Sequence, residues 1–100
     1  MSRDLFTPMI PAAPTYATVG NVASAQILAA NPKRTGLILS NTHATQTVSL
    51  GLGAAAVSGS GITIMAGKTF FMTQYNLFKG AVNALASGAG TNLGIIELTE

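Results

Sequence analysis

From residue 16 onward, short apolar runs alternate with turn-forming residues at intervals of roughly eight to twelve positions, the spacing of an all-β domain. The cleanest run is Thr47-Val48-Ser49-Leu50-Gly51-Leu52. A strand's period of two points Val48, Leu50 and Leu52 to one face and Thr47, Ser49 and Gly51 to the other. Gly36-Leu37-Ile38-Leu39-Ser40 is almost continuously apolar and predicts a strand buried on both faces. Ile62-Thr63-Ile64-Met65 and Thr69-Phe70-Phe71-Met72-Thr73 read as further strands, as do residues 93–99. Residues 75–78 and 81–86 make weaker candidates, with Gly80 between them as a bend or bulge. Residues 23–29 alternate as a first strand, although a short helix across 22–30 competes because alanine favours helix. Asn31-Pro32-Lys33-Arg34 and the polar or glycine-rich stretches 41–46, 58–61, 66–68 and 87–92 supply the connections. The expected fold is one all-β domain over residues 16–100, a jelly-roll-like β-sandwich of about seven or eight strands.

Residues 1–15 have a different character. Pro8, Pro11 and Pro14 block helix and central strand alike and leave an extended N-terminal arm. The arm is nevertheless apolar, since Leu5, Phe6, Met9 and Ile10 have no reason to face water. The apolar stretch is too short, and too interrupted by Pro8, for a secretory signal. We read the arm as a clamp that lies on a neighbouring subunit and binds it through those four side chains. An arm folded back on its own domain is the competing reading.

Composition changes the picture through charge. Only 8% of the 100 residues are Asp, Glu, Lys or Arg, where about 25% is ordinary. The net charge of +2 comes from five cations against three anions, too few and too scattered for a nucleic-acid footprint. A surface of Thr, Ser, Asn, Gln, Gly and Ala repels neighbours weakly, which suits permanent packing in an assembly. No apolar run approaches the ~20 residues that span a bilayer, so no membrane partner is expected. The chain has no cysteine, which removes disulfides, thiolate metal sites and a cysteine nucleophile.

The chemistry available to an enzyme is thin. The carboxylates are Asp4, Glu97 and Glu100. On a strand the last two fall on opposite faces, which denies them an acid–base pair and reads as solvated end charges. His43 is the only histidine, lies in a polar loop, and has no neighbour with which to bind a metal. No Gly-x-Ser-x-Gly elbow occurs, and Gly88-Ala89-Gly90-Thr91-Asn92-Leu93-Gly94 places its third glycine one residue too late for a dinucleotide fingerprint. Gly51-Leu52-Gly53 reads as a strand end where a Cβ would clash. We expect no catalytic residue, no metal and no cofactor. Lys33 and Arg34, the only adjacent pair of cations, read either as a solvated turn or as a partner-binding contact. The aromatic cluster is expected in the core, with Phe71 and Tyr75 sharing one face and Phe70 and Phe78 the other.

Within residues 29–67, Arg34 follows a turn, Leu37-Ile38-Leu39-Ser40-Asn41 forms a strand, Leu50-Gly51-Leu52-Gly53 ends one, and Ala66-Gly67 turns the chain. In this order of elements the sequence resembles small structural proteins of tailed bacteriophage virions. The resemblance implies a non-enzymatic capsid decoration or cement subunit, located on the virion surface after synthesis in the host cytoplasm. Its partners would be the major capsid protein and further copies of itself, with a trimer expected ahead of a dimer. A small tail, spike or fibre component with a receptor, glycan-binding or adaptor role is the alternative, with Tyr16, Tyr75 and Asn76 as its suggestive residues.

Overall fold

A computed structural model describes residues 9–73 and 75–100. Among these residues there is no helix, and the strands are β1 (Ile10–Pro11), β2 (Thr15–Val19), β3 (Ala25–Leu28), β4 (Arg34–Asn41), β5 (Val48–Leu52), β6 (Ile62–Ile64), β7 (Thr69–Met72), β8 (Val82–Ala86) and β9 (Thr91–Thr99). Among the described residues, no helix is therefore long and apolar enough to cross a membrane.

The antiparallel pairs are nested. β5 pairs with β6, β4 with β7, β3 with β8 and β2 with β9, as in one long hairpin. The ribbon is folded over so that alternate pairs fall into different sheets. β9 also pairs with β4, and β8 with β5, which completes two sheets ordered β2-β9-β4-β7 and β3-β8-β5-β6. β1 and β2 run in succession along the same edge of β9. We call these the β9 sheet and the β8 sheet.

The inward faces of the two sheets make the core of a β-sandwich. Val19, Leu37, Leu39, Met72, Leu93 and Ile95 come from the β9 sheet. Val48, Leu50, Ile64, Val82, Ala84 and Ala86 come from the β8 sheet. Each fully buried Val, Leu, Ile or Met is worth roughly 1.5–3 kcal/mol, so this layer supplies the main drive to fold. The predicted inward positions Leu37, Leu39, Val48, Leu50 and Ile64 are all buried.

The chain departs from expectation in several places. β2 was not expected, because only Ala17 and Val19 of Thr15–Val19 turn inward. Residues 22–30 form no helix; they yield the short strand Ala25–Leu28. Residues 75–78 are not a strand, since the Asn76 side chain turns the chain there. Asn76 Oδ1 accepts from Thr73 N (2.6 Å) and its amide donates to Phe71 O (3.1 Å). The aromatic residues split accordingly. Phe70 and Phe78 pack against the core, while Phe71 and Tyr75 are exposed, so core packing describes only half the cluster.

The described part of the N-terminal arm folds back on its own domain. Ile10 and Pro11 pair with Thr99 and Leu98, and Ala12 N donates to Glu97 O at 2.8 Å. Pro11 and Pro14 are tolerated because this is a sheet edge, where a missing N–H breaks no ladder on the outer side. Leu5 and Phe6 lie outside the described residues.

The outward face of the β8 sheet is partly covered by the chain itself. The connection 53–61 lies across it, held by Asn83 Nδ2 to Ala54 O (2.6 Å) and Gly59 N to Ser49 Oγ (2.9 Å). Its Ala56 N donates to Ser24 Oγ at 2.8 Å, and both Ala56 and Ser49 are buried. Gly51 permits this approach: a Cβ there would overlap the Ala54 carbonyl and lie 2.7 Å from Ala56 N.

Candidate functional site

Five of the six described Asp, Glu, Lys and Arg side chains, all but Lys68, gather at one end of the sandwich. A bulge in β4 opposite β9, between Arg34 and Gly36, inserts one extra residue. Strict alternation would put Arg34 on the outward face with Gly36 and Ile38; the extra residue turns it inward, to the face of Leu37 and Glu97. Arg34 Nε donates to Glu97 Oε2 at 2.8 Å. Nη1 donates to the carbonyls of Phe78 (2.8 Å) and Gly80 (2.9 Å), and Nη2 to Ala29 O (2.7 Å). One guanidinium thus binds the β3–β4 connection, the β7–β8 connection and β9 together, which its planar fork of donors allows.

The remaining contacts at that end support the same cluster. Asn31 N donates to Lys79 O, Lys79 Nζ to Pro32 O, and Glu100 N to Lys33 O. Of the expected partner-binding pair, Lys33 is exposed, but Arg34 is completely buried by its own chain. Arg34 is therefore neither a solvated turn residue nor a partner contact. Glu97 is not a solvated end charge either.

His43 sits in a structured loop. Its Nδ1 accepts from Gln46 N (3.0 Å) and Thr45 N (3.1 Å), which leaves the ring proton on Nε2. The buried Asn41 side chain fixes the same loop from within. Its amide donates to Gln46 O (2.7 Å) and Ile64 O (3.0 Å), and its Oδ1 accepts from His43 N (3.1 Å). Among the described residues no pocket opens, and no three His, Asp or Glu side chains stand together as a metal site.

The outward face of the β9 sheet is different in kind. Register places Ile96, Ile38 and Phe71 in one row across three strands. The adjoining row runs Tyr16, Gly94, Ser40 and Thr69. Beyond the Ile row, Leu98 faces Gly36, and the Met9 side chain reaches the same place. Ile38, Ile96 and Leu98 are half-buried yet stand outside the core cluster, while Phe71 and Tyr16 are 58% and 69% exposed. None of these positions carries a charge. Period-two reading finds the strands, but only register reveals that these residues share a surface. The expected partner-binding residues Met9 and Ile10 are exposed at the rim of this sheet.

No family model, curated protein or solved structure matches the chain.

Proposed function

We propose that this chain is a non-enzymatic virion structural protein, a capsid decoration subunit that reinforces a phage head by bridging major capsid subunits. The observation that carries the reading is the apolar, exposed N-terminal strand. Met9 and Ile10 stand at the rim of the β9 sheet, in a segment whose prolines keep it extended. The preceding Leu5 and Phe6 would lengthen that apolar contact.

The nested strand order supports a jelly-roll reading of the sandwich. Pairs β2·β9, β3·β8, β4·β7 and β5·β6 divide alternately between two sheets, as in a rolled-up hairpin ribbon. That architecture recurs in viral capsid domains, and the warrant it adds is one of fold analogy. The mechanism is mechanical. Each copy contributes a modest contact, and many copies fixed on one lattice act together. In the glycan-binding alternative, Tyr75 is well exposed, but the side chain of its neighbour Asn76 is committed to the turn it builds.

Copy number in purified particles tests the proposal. Quantitative mass spectrometry of virions should find the chain at an abundance approaching that of the major capsid protein. A handful of copies per particle would move it to the tail, and absence from particles would end the virion reading.

A further inference from the structure

We infer that the outward face of the β9 sheet is a self-association surface, covered in solution by the same face of a second copy of this chain. The inference stands apart from the virion reading and rests on three properties of that face.

The first is asymmetry of cover. Residues 53–61 cross the outward face of the β8 sheet at Ser49, Gly51 and Asn83, whereas Tyr16 and Phe71 stand exposed on the outward face of the β9 sheet. The second is charge. The face carries no Asp, Glu, Lys, Arg or His, and five of the six described Asp, Glu, Lys and Arg residues (all but Lys68) gather at the Arg34 end. A charged partner would lose hydration there and gain no counter-charge. Another copy of this face is a surface that matches it.

The third property is relief. The Ile96-Ile38-Phe71 row is a ridge, and the adjoining Gly94-Ser40 row is a furrow: a Cβ added at Gly94 would meet nothing nearer than 3.7 Å. A two-fold axis lying between the rows, across the strands, sets the ridge of each copy into the furrow of the other. This is the isologous geometry of a closed dimer. Strands about 4.8 Å apart and rising about 3.4 Å per residue give the face a projected area of roughly 500 Å². A pair would bury on the order of 1,000 Å², the lower bound for a specific interface. The result is a stack of four sheets with the β9 sheets innermost, about 10 Å apart.

Sedimentation equilibrium of the full chain from 1 to 100 µM tests this. The expected mass is twice 10.1 kDa. Phe71→Arg and, separately, Tyr16→Asp should weaken the dimer at least 100-fold while leaving the far-ultraviolet spectrum unchanged, because both sites are exposed. A monomeric wild type at 100 µM overturns the proposal. So does a dimer that survives both substitutions, or a trimer. If the chain dimerises only after residues 2–8 are removed, that segment is the natural occupant and the second copy is not.

Discussion

Arg34 and Glu97, separated by 63 positions in sequence, meet at 2.8 Å across the β4–β9 ladder, with the guanidinium fully buried and the carboxylate side chain 20% exposed. The bulge that turns Arg34 inward creates this contact, and three main-chain carbonyls complete it. Glu97→Ala leaves a buried cation held only by those carbonyls. The expected loss is about 3 kcal/mol, the low end for breaking a buried pair. Arg34→Lys should not substitute, because a point charge cannot reach three segments at once. Urea denaturation midpoints equal to wild type in both variants would refute this account.

Leu50 belongs to the core and is 5% exposed. Leu50→Ala should cost about 2–5 kcal/mol through lost transfer energy and the cavity left behind. The measurement is again the denaturation midpoint, with an unchanged slope.

Asn41 connects β4, β6 and the His43 loop through one amide. Asn41→Leu orphans Gln46 O, Ile64 O and His43 N, at about 1–3 kcal/mol for each group that water cannot reach. Amide exchange should accelerate at His43, Thr45 and Gln46 well before it does in β5. Uniform protection across the loop would show that the amide is dispensable.

Two glycines make a paired test. Gly51→Ala pushes a Cβ into the backbone of Ala54 and Ala56, so residues 53–61 must lift from the β8 sheet. Gly20→Ala meets nothing within 4 Å. The first should be cleaved readily within 53–61 by a protease and lose stability. The second should remain within about 0.5 kcal/mol of wild type.

Removal of residues 2–14 takes away the β1 pairing and the Ala12–Glu97 hydrogen bond. At about 1 kcal/mol per hydrogen bond, the truncated domain should fold but lose roughly 1–3 kcal/mol. A melting temperature identical to wild type would mean that β1 adds nothing to the sheet.

Strands with a strong apolar period were legible in sequence. Val48-Leu50-Leu52 and Ile62-Ile64 fall where alternation puts them, and Leu37 and Leu39 turn inward; the strand around them is not buried on both faces, because Ile38 stands half-buried on the outward side. β2 was not legible, because Thr15–Val19 turns only a small Ala17 and a Val19 inward and depends on β9 for its pairing. Residues 75–78 misled because Leu77 and Phe78 are apolar, while the geometry is set by the Asn76 side chain. Arg34 misled because a bulge reverses its face, and bulges leave no mark in a period-two pattern. The open sheet face could not be read at all: its rows join residues from four strands, and register exists only once the chain is folded.

The position of β9 has a consequence for biosynthesis. It is made after every other strand described here, yet it lies inside its sheet, with β1 and β2 on one side and β4 on the other. Until it emerges from the ribosome, β2 and β4 lack the neighbour they share, and their main-chain donors and acceptors stay open to foreign strands. The β5–β6 hairpin can close early, but the β9 sheet cannot be assembled piecemeal during translation. Quality control therefore falls on β9: a chain that stalls before Thr91 carries unpaired strands on both flanks of a missing centre and is fit for degradation or aggregation.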